Sequence, residues 1–297
     1  MSILRMRGIH RSFEPGVPVL SGVDLTIEPE EVVGLLGRNG AGKTTLLHIA
    51  MGMLHQQSGE VVVFGLDPLQ RPIDVKRRVG FVSENQILPD YLRVREIVEL
   101  HRSLFPEWDE NMARDLADRF SIPANKRIKA LSKGQARQVA LLCALSHRPE
   151  LLLLDEPAGG LDPLARREFL ETAIEALNET GATIVFSTHY LSDVERLAGR
   201  VVMLHDAGVM IDASMDELHE SYSIALVPHR EQGTSDALLA LTECLGVRRR
   251  TDAVHAVFRL DPEKARKLVA ERLEVTNAMC RTAGLEEMFI EVAGGER

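Results

Sequence analysis

Gly37-Arg38-Asn39-Gly40-Ala41-Gly42-Lys43-Thr44 fits the pattern G-x-x-x-x-G-K-[ST], in which a glycine-rich turn cradles phosphates. The apolar run Val32-Val33-Gly34-Leu35-Leu36 precedes it, and a helical pattern from Lys43 to about Met51 follows. That strand–loop–helix setting is the one the pattern requires. Glycines let the backbone fold round an anion so that several N–H groups and a helix N-terminus converge on it. Lys43 supplies a charge for the outer phosphates, and the Thr44 hydroxyl is suited to Mg2+. Thr45 continues the same turn into the helix. A glycine loop that merely precedes an ordinary helix is the plain alternative, and it leaves the fit on both flanks unexplained. These residues point to a nucleoside triphosphate site.

Further words follow in a fixed order. Leu131-Ser132-Lys133-Gly134-Gln135 opens a helical pattern reaching about His147, and Leu151-Leu152-Leu153-Leu154 leads into Asp155-Glu156. Gly160-Leu161-Asp162 comes next, and Ser187-Thr188-His189 ends a later apolar strand. Together they resemble the ATP-binding-cassette (ABC) ATPases: the signature motif, the Walker B strand with its catalytic glutamate, the D-loop and the switch histidine. The resemblance covers roughly residues 1–220. Phe13 stands where the family carries an aromatic ring that stacks on adenine. The stretch from Leu104 to Arg167 is similar to ATPase subunits of bacterial type-2 exporters.

The chemistry of each word supports this reading. An apolar strand delivers Asp155 to the carboxyl edge of a sheet, where ligands of α/β folds bind. There it is placed to hold Mg2+ through water. Glu156, on the opposite side of an extended chain, is placed as base or orienting group for water attacking the γ-phosphate. Ser132 reads as a helix N-cap, which alone would explain it. The resemblance adds that this helix N-terminus, with Gly134 and Gln135, faces the γ-phosphate held by another subunit. For the γ-phosphate that Glu156 serves it implies a contact from His189, and for Asp162 it implies communication across the dimer. With one phosphate loop in the chain, the active unit implied is a homodimer or a pair with a sister ABC ATPase. The cofactors implied are ATP and Mg2+.

Three positions depart from the family pattern. Glu84 stands where glutamine is usual, counted from Leu92-Arg93-Val94, which favours it over Gln86. A carboxylate there still reaches Mg2+ or water, but adds negative charge beside phosphates. Lys133 replaces a common glycine, and Phe13 a common tyrosine.

Composition sets the remaining bounds. The chain has 297 residues, is 45% hydrophobic and carries a net charge of −9. It holds no apolar run of the roughly 20 residues needed to cross a bilayer and opens on no secretory signal. A membrane-spanning permease is therefore expected on a separate polypeptide, with this chain cytoplasmic and peripheral on the inner face of the plasma membrane. Acidity disfavours a nucleic-acid partner. The alternative function, a soluble ABC ATPase acting on ribosome or DNA, lacks the second cassette or long insertion such proteins carry. Cys143, Cys244 and Cys280 have no metal-type spacing and read as reduced thiols.

The expected fold is α/β: a P-loop ABC ATPase core of mixed sheet, antiparallel β subdomain and helical subdomain, with a small C-terminal α+β domain. Short β-type runs at Ile3–His10, Val17–Ile27, Val32–Leu36 and Val61–Phe64 are assigned to the antiparallel part. Ile97, Leu100 and Leu104, then Met112, Leu116 and Phe120, recur at helical steps; this stretch, about 85–140, resembles the family's helical subdomain, which implies that it touches the membrane partner. Domain bounds of 1–222 and 223–297 follow from where the motifs stop. In the second domain a helix is expected over about Ser235–Leu245 and two strands around Arg249–Arg259. His229 and His255 are isolated there. A regulatory or dimerising role is expected for this domain, whose Leu285-Glu286-Glu287-Met288-Phe289 ending is similar to tails of drug- and lipid-type exporter ATPases.

Overall fold

The computed structural model describes residues 2–84, 88–178, 181–228 and 234–293; Gln86 and His229 lie outside them. The chain divides into two compact units, Met1–Val209 and Met210–Arg297. The division falls earlier than the motif-based boundary at 222/223, within a strand that leads out of the first unit.

Strand β1 (Leu4–Glu14) pairs antiparallel with β2 (Val17–Ile27), the two joined through Gly16 at φ 78°. This conformation suits glycine because it lacks a Cβ. Leu20, Val23, Leu25 and Ile27 of β2 are buried, with exposed residues among them, the alternation of a sheet with one wet face. β3 (Val32–Leu36), α1 (Lys43–Ala50) and β4 (Ser58–Val63) follow, and β4 completes a three-stranded sheet in the order β2-β1-β4. β3 does not belong to this sheet, contrary to the assignment from sequence. It lies in the parallel sheet between neighbours on both sides, because apolar residues fill both of its faces.

After α2 (Pro72–Lys76) and β5 (Val79–Val82) come the helices α3 (Val94–Leu104), α4 (Glu110–Arg119) and α5 (Lys133–Leu145). Asp109 starts α4 by accepting hydrogen bonds from the N–H groups of Asn111 and Met112, at 2.9 and 3.1 Å. β6 (Leu151–Asp155), α6 (Pro163–Asn178), β7 (Thr183–Thr188), α7 (Leu191–Leu197), β8 (Arg200–His205) and β9 (Gly208–Ser214) complete a six-stranded sheet. Its order is β5-β6-β7-β3-β8-β9, and β5, β6, β7, β3 and β8 run parallel. Every residue of β6 and β7 is buried, as strands covered on both faces must be. Parallel strands put their carboxyl ends on one edge, so β3, β6 and β7 release Gly37, Glu156 and His189 side by side.

In the second unit α8 (Met215–Ser221) leads to β10 (Ser223–Pro228), α9 (Thr234–Leu239), β11 (Cys244–Arg249), β12 (Ala253–Phe258), α10 (Pro262–Leu273), β13 (Met279–Thr282) and α11 (Leu285–Ala293). The antiparallel sheet runs β11-β12-β10-β13. From β10 to β13 the order of elements is β-α-β-β-α-β, the ferredoxin-like pattern. The expected helix through Leu245 ends at Leu239, because Cys244 and Leu245 are taken up by β11, an edge strand against β12. Val247, Val254, Ala256 and Phe258 form its core with Ala265 and Val269 of α10.

Candidate nucleotide site

The loop after β3 is built by glycine geometry. Gly40 and Gly42 have φ of 84° and 99°, which L side chains rarely adopt. A Cβ on Gly42 would stand 2.7 Å from Leu20 Cδ2 and 2.8 Å from the Val19 carbonyl oxygen; one on Gly37 would stand 2.9 Å from the Leu204 carbonyl oxygen. The loop therefore packs closely behind while its N–H groups and the start of α1 remain in front. Lys43 is 6% exposed. Its Nζ donates to the Gly37 carbonyl at 2.8 Å and to the Arg38 carbonyl at 3.4 Å, and Ala41 N–H also donates to Arg38.

Asp155 and Ser187 are directly paired in the parallel register of β6 and β7. The fully buried Ser187 hydroxyl donates to Asp155 Oδ1 at 2.8 Å and accepts from the Glu156 N–H at 2.8 Å. Thr44 Oγ1 donates to the same Asp155 Oδ1 at 3.1 Å. Glu156 has φ 43°, so the chain has left the strand there. Its aim is set by this left-handed turn, which corrects the extended-chain account of its direction. Glu156 Oε2 lies 2.9 Å from His189 Nδ1, and Oε1 lies 3.4 Å from Lys43 Nζ. His189 lies over the Tyr190 ring at 4.0 Å between centroids, and the Arg166 guanidinium covers the same ring at 3.8 Å. The result is a chain of contacts from the glycine loop through Lys43 and Glu156 to His189, with Thr44 and Asp155 beside it.

These groups border a cavity of about 560 Å³ lined by Phe13, Val19, Asn39, Gly40, Ala41, Gly42, Lys43, Thr44, Thr45, Glu84, Glu156, Gly159 and His189. Phe13, 59% exposed, presents its ring there with the Arg11 guanidinium 4.8 Å from the ring centroid. Glu84 is exposed and also lines the cavity. Such a cavity offers converging N–H donors, one buried ammonium, hard oxygen ligands and an aromatic face. That set suits a phosphate-bearing base.

Gly37, Arg38 and Asp155 lie outside this lining, and Ser132, Gly134, Gln135 and Asp162 do not line the cavity either. Ser132 caps α5: its Oγ accepts from Gln135 N–H at 3.1 Å, while Gln135 Oε1 accepts from Ser132 N–H at 3.2 Å. Asp162 caps α6 by accepting from Leu164 and Ala165 N–H at 3.1 and 3.0 Å. A Cβ on Gly134 would meet Leu161 Cδ2 at 3.0 Å, so the two segments touch. Ser132 and Asp162 are both exposed. Val19, Gly159, the hydroxyl of Ser187 and Arg137 belong to the site's surroundings and escaped the sequence reading. Only the strand pairing of Asp155 with Ser187 would have singled out the hydroxyl.

Comparison with known proteins accords with this geometry. The ABC transporter family profile matches residues 20–159. ABC transporter ATP-binding protein YtrB of Bacillus subtilis (strain 168) is 30% identical over 99% of both chains. Daunorubicin resistance ATP-binding protein DrrA3 of Streptomyces coeruleorubidus is 30% identical over 94% of this chain and 92% of its own. The dimeric post-hydrolysis structure of the ATP-binding cassette MJ0796, bound to ADP and Pi, superposes with a TM-score of 0.64 at 25% identity, covering 71% of this chain and 98% of that one. With its glycine loop, buried lysine and paired carboxylates at one sheet edge, this chain belongs to the ABC transporter ATP-binding proteins and is an ATPase of that family.

Proposed function

We propose that this chain is the ATP-hydrolysing motor subunit of an ABC exporter, working as an ATP-sandwich dimer of two copies on a separate membrane permease. The observation that carries the proposal is the convergence of Lys43, Thr44, Glu156 and His189 on one cavity bounded by the glycine loop, with buried Asp155 held directly behind Thr44. Phe13 stacks on the adenine; Lys43 and the loop N–H groups hold the phosphates. Thr44 Oγ1 and Asp155 Oδ1, 3.1 Å apart, would supply hard oxygen donors to Mg2+, which keeps several of its waters, with Glu84 on the rim. When bound, Mg2+ neutralises charge on the β- and γ-phosphates.

Glu156 accepts a hydrogen bond or proton from the water that attacks the γ-phosphate. His189, already held to its other oxygen, contacts that phosphate. Ser132, Gly134 and Gln135 start a helix whose exposed N-terminus is an anion site not used by the chain's own cavity, which favours an opposite subunit as its target. Asp162 lies beside it on the same surface.

Two observations support a membrane partner. Among the described residues no helix is long and apolar enough to cross a membrane. The apolar stripe of α3 begins at buried Ile97 and continues to Leu104, 60% exposed, which lines a groove of about 280 Å³ with Met51, Phe81, Leu88 and Phe105 and with the polar Lys76, His101 and His147. A short apolar segment of a permease fits such a groove and would hold the chain on the inner face of the plasma membrane. The likeness to a daunorubicin resistance protein over nearly the whole chain favours export. The test is turnover of MgATP by the purified chain. Glu156→Gln should lower kcat by about 10²–10⁴-fold, the usual worth of a positioned base, while nucleotide still binds. Unchanged turnover would refute the assignment.

A further inference from the structure

Arg137 lies in α5, five residues after the capping Ser132. At about 100° per residue this turns it well away from the helix's exposed N-terminal surface. Its side chain reaches back into the same subunit. Nη2 donates to the Glu84 carbonyl at 3.0 Å, and Nη1 donates to the Gly159 carbonyl. Glu84 and Gly159 both line the nucleotide cavity. Burial pulls the guanidinium's pKa down, while the negative charges of Glu84 and Glu156 act the other way.

The cavity wall presents two carboxylates, Glu84 and Glu156, to a polyanionic ligand. Lys43 is already paired with Glu156. Glu84 has no such partner within the lining.

We propose that Arg137 is a positioning residue for the nucleotide: its guanidinium offsets the charge that Glu84 brings to the cavity, while its forked contacts hold the Glu84 segment to Gly159. This rests on the reading of the cavity as an ATP site. It gives the signature helix a second role, sensing through Arg137 the nucleotide of its own subunit. It also explains how a carboxylate is tolerated beside phosphates.

The test is a double-mutant cycle on the full chain, reading the Kd of MgATP by displacement of a fluorescent ATP analogue. Arg137→Gln should weaken binding about five- to tenfold when Glu84 is present, as expected for one unbalanced charge near a partly solvated site. In the Glu84→Gln background the same change should cost less than about twofold. High salt should shrink the first loss. Arg137→Lys keeps the charge without the fork and should stay within about threefold of the wild type. Equal losses in both backgrounds would overturn the charge role, as would no loss in either or a Lys variant as weak as the Gln one. Wild-type protein that binds no MgATP would instead overturn the ATP reading itself.

Discussion

Ser187→Ala removes a hydroxyl that serves two groups at once. Its Oγ donates to a carboxylate at 2.8 Å and accepts from the Glu156 N–H at 2.8 Å, with no exposed surface. A hydrogen bond to a charged group contributes about 1.5–3 kcal/mol, and a buried N–H left unpaired costs about 1–3 kcal/mol. The two losses share one atom and one locale, so they do not add in full; a destabilisation of about 2–4 kcal/mol is expected. Trp108 is the single tryptophan and lies in the first unit, so its fluorescence reports the unfolding of the unit that holds the site. With a urea dependence of about 2–3 kcal/mol/M, the midpoint should fall by about 0.7–2 M. ATP turnover should fall by about tenfold, because Asp155 and the left-handed turn at Glu156 lose their common brace. An unchanged urea midpoint would refute the claim that this hydroxyl braces the site.

Gly42→Ala should abolish ATP-analogue binding and lower stability by about 2–4 kcal/mol, since its φ is 99° and the new Cβ meets Leu20 and the Val19 carbonyl; calorimetry and the displacement assay check both, and near-normal binding would contradict the loop account. Burial holds the His147 imidazole below its usual 6.5, so the folded state binds fewer protons than the unfolded one. Stability of the first unit should therefore be fully present above that value and fall as pH drops from 6.5 toward the lower folded pKa. His147→Phe keeps the stack on Phe105, whose ring centroid lies 4.1 Å away, and should flatten this part of the pH–stability profile measured by urea titration. An identical slope would show that His147 is not its source.

The glycine loop was legible because its residue types are dictated by backbone conformation and close approach. Gly42 allows neither a Cβ nor an ordinary φ, and its neighbours Lys43 and Thr44 complete a contiguous word whose phosphate chemistry is recognisable by itself. The buried strand Leu151–Asp155 was legible for a related reason, since a strand covered on both faces must be apolar throughout. Val32–Leu36 has that same composition, yet was grouped with the antiparallel strands that flank it in sequence. Composition shows how deeply a strand is buried but not which sheet receives it. The helix drawn through Leu245 failed at a similar point: Cys244 and Leu245 suit a helix locally, and pairing with β12 overrides that preference.

Within the site, contacts between segments distant in sequence were the illegible part. Ser187 meets Asp155 only through parallel strand register, and Arg137 meets Glu84 and Gly159 only after α5 packs. The aim of Glu156 depends on a left-handed turn that its sequence does not announce. Ser132 and Asp162 illustrate the converse. The capping chemistry of Ser132 was visible in the sequence, that of Asp162 came only with the structure, and the chain uses both as caps. Their proposed work on a phosphate needs a second molecule.

The sandwich is tested most directly by light scattering of the Glu156→Gln protein with and without MgATP. Blocking hydrolysis should leave the closed form populated. A nucleotide-dependent shift from the 33.0 kDa monomer to twice that mass is the predicted result. A protein that binds MgATP and remains at 33.0 kDa would contradict a site completed by a second copy of this chain.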